Sequence, residues 1–347
     1  MELTERQRWI LKSVIDIYVT TAEPVGSKAI AEQSETPISS ATVRNELAEL
    51  EAAGYLEQPH TSAGRVPTDL AYREYVDHLM EPEPMPEEEK KEIRRGLDQQ
   101  IYEVNDLMLR ANELLSESTG YASVTLTPSE PESFVSQLKF LQIEPGRVMV
   151  IVVLSAGLVK DRIIRTSDLF TPKQLQMISG VLEENLRAVQ LKDITLVTVE
   201  AAAEDIAVPD PLLNQLLYEA YVSIKQAENL DVYMDGVQRL FIQPEFNEPA
   251  KVHKVYNALQ KDGLITGYLS HSDELSDNPF MIRIGQEIAI DGLEACSLVT
   301  TTYQLGERLF GKIGIIGPRR MEYEKVIPRI SFIRESVKDV YKDKTEG

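Results

Sequence analysis

The first eighty residues are broken so often by proline, glycine and capping residues that only short helices fit between the breaks. Thr4 and Gln7 form a capping-box spacing, and Ile10, Val14 and Ile17 then recur at helical intervals until Pro24. Ser27 can cap a second helix over Lys28–Gln33, which Pro37 closes. Ser39 or Ser40 can cap a third, in which Val43, Leu47 and Leu50 share one face and Gly54 marks the stop. Two short strand patterns follow, Tyr55–Gln58 and Arg65–Pro67, around a polar tip from Pro59 to Gly64. A last amphipathic segment carries Leu70, Tyr72, Tyr75, Val76 and Leu79. Three helices and a hairpin in this order predict a winged helix-turn-helix over residues 1–80, the arrangement that lays one helix in the major groove of duplex DNA. The same pattern also occurs in pure interaction modules, and a non-DNA interaction protein is the alternative that the acidic balance favours.

The third helix carries the readout. With Val43 as its buried centre, Ala41, Arg44, Asn45 and Ala48 fall on the outward face at 100° per residue. Small residues there permit close approach to bases. Arg44 matches guanine O6/N7, Asn45 matches adenine, and Ala41 suits a thymine methyl. The amides and hydroxyls of Ser39, Ser40 and Thr42 at the helix start suit a phosphate. Lys28 can reach the backbone from the supporting helix. His60, Thr61, Ser62 and Arg65 place a tip free of acids where it can meet phosphate or enter a minor groove. For His60, solvent exposure without a role is an equal alternative.

Charge argues the other way. The chain carries a net charge of -20, and its first eighty residues hold seven Lys/Arg against thirteen Asp/Glu. Such a surface repels phosphate at long range. Any grip on DNA must therefore come from one helix end and one wing tip.

Residues 81–92, dense in proline and charge, read as a solvated linker. A long helix is expected over 87–118, its stripe of Ile93, Leu97, Ile101, Val104, Met108, Ala111 and Leu115 serving either core packing or a dimer contact. Strands are expected at Val135–Ile143, Arg147–Leu154 and Leu158–Thr166, joined as an antiparallel meander. Helices at Pro172–Val189 and Pro211–Glu228 flank a strand at Ile194–Val199. Further strands are expected at Phe280–Ile284, Glu287–Ile290, Cys296–Tyr303 and Leu309–Ile316, before a terminal helix over Glu322–Tyr341. The order strands, helices, strands predicts an α+β multidomain chain with an insertion over 167–229.

Nothing in the sequence points to an enzyme. Cys296, the only cysteine, lies in an apolar strand pattern and reads as a buried thiol with no group to activate it. His60, His78, His253 and His271 have no metal-ligand spacing, and Gly311, Gly314 and Gly317 match no phosphate-binding loop. No cofactor or metal is expected. No apolar run approaches a membrane span and the start lacks a signal-peptide pattern, so a cytoplasmic protein is expected.

Glu23–Ile30, Ser39–Leu47 and Leu50–Leu56 resemble the HrcA family of heat-inducible transcription repressors. His60–Thr68 with Tyr72 and Arg73 does so most specifically, and Gly311–Pro318 with Arg320, Met321 and Tyr323 adds a distant match. The resemblance implies a winged helix-turn-helix at 1–80 and a GAF-like domain split over 93–166 and 230–347. It implies an inserted dimerisation domain, placed at 167–229. It further implies a homodimer that represses chaperone operons at an inverted-repeat operator of double-stranded DNA and is kept active by the chaperonin. The alternative within the class is a metabolite-responsive regulator using the GAF-like domain as sensor. The sequence displays no convergent polar cluster to hold such a ligand.

Overall fold

Thr4 starts the first helix, α1 (Glu5–Thr21), as its capping box requires. Its hydroxyl accepts from the Gln7 N–H at 3.2 Å, and the Gln7 carboxamide oxygen accepts from the Thr4 N–H at 3.1 Å. The second helix, α2 (Ser27–Gln33), has Gly26 and not Ser27 at its N-cap. The third, α3 (Ser40–Ala52), is capped by Ser39. Strands β1 (Leu56–Glu57) and β2 (Val66–Pro67) pair antiparallel, and helix α4 (Asp69–Glu74) continues into a π turn over Tyr75–Leu79. Ile10, Leu11, Val14, Ile30, Val43 and Leu50 form the buried centre of this winged-helix arrangement.

The computed structural model describes residues 3–34, 37–60, 63–98, 104–129, 133–155, 157–187, 189–204, 206, 208, 210–228, 231–260, 264–270, 279–307 and 309–346. The chain forms two compact units. The first is Met1–Leu126 with Val232–Tyr303 and Lys312–Gly347; the second is Thr127–Asp231 with Gln304–Gly311.

Residues 81–92 are not a free linker. Helix α5 (Glu87–Leu97) begins inside them, and Met85 is buried. Glu89 holds Arg329 through two hydrogen bonds of 2.7 Å. The prolines end before Glu87, and three glutamates in the first turn favour a helix start. Helix α6 (Val104–Thr119) is separate from α5, and the expected stripe residue Ile101 lies outside the described residues. Ile93, Leu97, Met108, Ala111 and Leu115 are all buried within the chain, and so are Leu107 and Leu114. That face is wider than a coiled-coil seam; it is core, closed by the last helix.

Strands follow as β3 (Ala122–Ser129), β4 (Val135–Glu144), β5 (Arg147–Leu154) and β6 (Val159–Arg165). Then come helices α7 (Pro172–Leu186), α8 (Leu196–Ala201) and α9 (Asp210–Glu228), strand β7 (Val232–Asp235) and helices α10 (Val237–Phe241), α11 (Pro249–Gln260) and α12 (Leu264–Ser270). Strands β8 (Phe280–Ile284), β9 (Cys296–Leu305) and β10 (Leu309–Pro318) precede α13 (Tyr323–Glu346). The expected strand at Ile194–Val199 is the helix α8. Its run of branched residues looks strand-like, but Thr195 and Thr198 cap each other's backbone and start a helix. The expected strand at Glu287–Ile290 is a tight turn, because the Glu287 carboxylate folds back to accept from the Ile284 N–H at 3.0 Å.

The main sheet of the first unit runs in the order β7-β3-β10-β9-β8. In the second unit β4, β5 and β6 form the expected antiparallel meander. One face buries Leu138, Phe140, Val148, Val150 and Ile164 against Leu175, Ile178 and Leu182 of α7 and Leu216 and Ala220 of α9. The expected insertion at 167–229 is therefore only part of this unit. The three strands share its core, which the connection order alone did not reveal.

Cys296 is fully buried on β9, and burial pushes its thiol up to about 12. The native protein is expected to leave 5,5′-dithiobis(2-nitrobenzoate) unreacted at about pH 8, with one equivalent released on unfolding in guanidinium. Rapid native labelling would contradict the burial.

Ion pairs seat the winged helix on the rest of the first unit. Asp69 binds Arg319 at 2.7 Å and accepts from the Gln286 N–H at 3.1 Å. A side chain at Gly285 would meet the Asp69 carboxylate at 2.1 Å, so only glycine permits this approach. Arg73 grips the Glu287 carboxylate and donates to Ile282 O at 2.7 Å. Burial works against the Glu287 charge, but the Arg73 and Ile284 hydrogen bonds outweigh it and hold the carboxyl below its ordinary range. Its contribution to stability is then complete above the unfolded-state value and is lost as pH falls through the lower folded-state value. Melting curves of the wild type should fall across that acid window more steeply than those of Glu287→Gln; parallel curves would refute the coupling.

Candidate nucleic-acid interface

Helix α2 packs on α3, and α3 turns Val43, Leu47 and Leu50 inward at 0, 4 and 0% exposure. Ala41, Arg44, Asn45 and Ala48 are exposed, as the angular reading requires. Ser39 caps the helix, accepting from the Thr42 N–H at 3.0 Å, and the two hydroxyls lie 2.8 Å apart. Both hydroxyls thus hold the helix start in place, and Ser40 is half-buried beside them.

The acids of α3 face its neighbours. Arg6 of α1 meets Glu46 at 3.4 Å, and the Gln7 carboxamide donates to Glu49 at 2.9 Å. These exposed contacts add little stability. They do draw carboxylates toward α1 and away from the outward face.

The wing is tied down at its base. Val25 and Arg65 exchange backbone hydrogen bonds of 2.9 and 2.8 Å, joining the turn before α2 to the start of β2. Gly64 makes the approach possible, since a Cβ there would lie 2.4 Å from the Val25 carbonyl. Gln58 closes the tip by donating to Ala63 O at 2.9 Å. His60 is exposed at the tip, while Thr61 and Ser62 lie outside the described residues.

Arg65 departs from the sequence expectation. Its guanidinium binds Glu51 at 2.7 Å, with only 18% of the side chain exposed. It ties the wing to the end of α3, so part of its donor capacity is already spent on Glu51. Spacing gave no sign of this pair, because Glu51 and Arg65 meet only once the hairpin has folded back. Lys28 is exposed on α2 with Glu32 at 3.8 Å, a pair that leaves the ammonium accessible. Lys28 thus stands on the helix that packs on α3, and the base of the wing is bonded to the turn just before that helix. Sequence reasoning missed Gln58 and Glu51, which shape the wing, and Asp69 and Arg73, which seat the domain. The last two pair with residues more than two hundred positions away, beyond any local signal.

Two family models match the chain. "Winged helix-turn-helix transcription repressor, HrcA DNA-binding" covers residues 2–79, and "HrcA protein C terminal domain" covers residues 105–327. The heat-inducible transcription repressor HrcA of Ruminiclostridium cellulolyticum is 37% identical over 338 residues, 97% of either chain. That of Acetivibrio thermocellus is 35% identical over 339 residues, 98% of this chain and 96% of its own. A crystal structure of a hypothetical protein shares the fold with a TM-score of 0.60 at 20% identity, covering 99% of this chain and 98% of that one. Matches at both ends and along nearly the full length lead to one conclusion: the chain belongs to the HrcA family of heat-inducible transcription repressors.

Proposed function

We propose that this protein represses heat-shock transcription by setting α3 into the major groove of an inverted-repeat operator, two chains per site. It is a DNA-binding regulator and not an enzyme. The observation that carries the reading is the outward face of α3, small at Ala41 and Ala48 and polar at Arg44 and Asn45, in a domain that matches a repressor's DNA-binding model. Arg44 and Asn45 read bases; Ser39, Ser40, Thr42 and Lys28 position the helix on phosphates; His60, Thr61, Ser62 and Arg65 serve the wing. The domain built on the main sheet is the GAF-like part. The unit at 127–231 with 304–311 is the dimerising part, wider than the 167–229 segment expected from sequence.

Dimerisation is supported by the outer face of the β4–β6 sheet. Leu141, Met149 and Ile163 line up across the three strands, and Leu141 and Ile163 are half exposed. A second copy of the chain covers this row, and two-fold symmetry then matches an inverted repeat. Support by the chaperonin follows from the family resemblance. No helix among the described residues is long and apolar enough to cross a membrane, and a DNA-bound repressor works in the cytoplasm.

Selection from a random duplex pool tests the reading. Purified protein at moderate salt should enrich two-fold symmetric inverted repeats, bound at least about a thousandfold more tightly than scrambled duplex. Added chaperonin should raise the active fraction. Enrichment of asymmetric sequences, or none, would overturn the symmetric-operator reading, and an active fraction indifferent to chaperonin would remove that arm.

A further inference from the structure

We propose that the first unit holds a binding site for a small organic anion, with a carboxylate or phosphate head on an apolar or planar body. The site is a cleft of about 760 Å³, a size typical of small-molecule pockets. Its lining includes four cations, Arg73, Arg283, Lys312 and Arg334, against two carboxylates, Asp77 and Glu287. They come from the winged helix, β8, β10 and α13, so no local motif could announce them. This convergence of cations stands in a chain of net charge -20. Both carboxylates are spent on Arg73. Arg334 is held in place by Thr301 at 3.0 Å and by Glu335 at 2.8 Å, a residue outside the lining. By formal charge four cations stand against three carboxylates, Glu335 included, and the Arg73 and Arg334 guanidinium groups are fixed before any ligand arrives.

The rest of the lining suits a body and not an ion alone. Val76, Met281 and Ile327 provide apolar surface beside the cations, and Thr300 and Thr302 add hydroxyls. One side of the cleft belongs to the π turn after α4 and the other to β8, β9 and α13. An occupant therefore bridges the winged helix to the sheet that carries it and stabilises their docked arrangement. The site is independent of how DNA is read.

Isothermal titration calorimetry on the full chain tests this with two probes, octanoate for the carboxylate source and adenosine monophosphate for the phosphate source. One of them should bind saturably at one site per chain and raise the melting temperature. Arg283→Gln and Lys312→Gln should each weaken it by at least about tenfold, as expected for loss of a charge-assisted contact. Lys173→Gln, an exposed position in the second unit, should leave it unchanged. Thermal melts reveal any variant that has lost its fold. Thr302→Glu, at an exposed point of the wall, tests the same cleft without removing a cation and should also weaken binding. Failure of both probes at millimolar concentration, or equal binding by wild type and all cleft variants, overturns the proposal.

Discussion

Arg44→Ala is expected to cost about 1–3 kcal/mol of operator affinity and to relax selection at one base position in each half-site. The expectation rests on placement. Arg44 is exposed on α3, one turn from the Ser39 cap, and its neighbours on that face are small. Its guanidinium can present two parallel donors to a guanine edge, which no other base pair satisfies. Removing it leaves phosphate contacts in place, so binding to scrambled duplex should change much less. Arg65→Ala provides the contrast. Because Arg65 is held by Glu51, its loss should loosen the wing against α3 and lower the melting temperature, with similar weakening on specific and random DNA. Fluorescence anisotropy on both duplexes over a salt series separates the cases. Equal loss on both duplexes for Arg44→Ala would show that another surface reads the bases.

Local signals wrote most of the winged helix into the sequence. The Thr4–Gln7 box, the Ser39 cap and the spacing of Val43, Leu47 and Leu50 each act within one or two turns, and each is found where expected. The strands from 135 to 165 were equally legible, since Pro145 with Gly146 and Gly157 allow only short connections. What misled was of two kinds, a local cap that spacing did not single out and contacts settled at long range. Thr195 and Thr198 turned a branched run into a helix, and Glu287 was taken out of a strand by its own backbone and by Arg73. Residues 81–92 looked free because the partners of Glu83 and Glu89, Glu324 and Arg329, lie near the other end of the chain. The candidate interface shows the same division. Exposure of Arg44 and Asn45 followed from helix angle, whereas the tie from Arg65 to Glu51 needed the folded hairpin.

Ile163→Asp is expected to convert the protein to a monomer and, through that, to reduce affinity for an inverted repeat by about 10²–10⁴-fold. Ile163 sits at the end of the row Leu141, Met149, Ile163, on the face of the sheet opposite the core. Asp161 already occupies that face two residues earlier, so the fold of one chain tolerates a carboxylate there. Two copies meeting face to face would instead bury two uncompensated charges against apolar surface, a cost that few interfaces absorb. The loss on DNA follows by mass action. An acidic winged helix gains little from long-range attraction, and a single α3 offers only a few contacts. In a dimer the second half-site would bind tightly because the first holds it at high local concentration. Sedimentation velocity should show the monomer, with an unchanged melting profile for the isolated chain. Affinity for a duplex bearing one half-site should stay as in the wild type. A variant that remains dimeric at micromolar concentration would place the partner elsewhere. A monomer that still held the full repeat tightly would show that the repressor's grip does not depend on pairing.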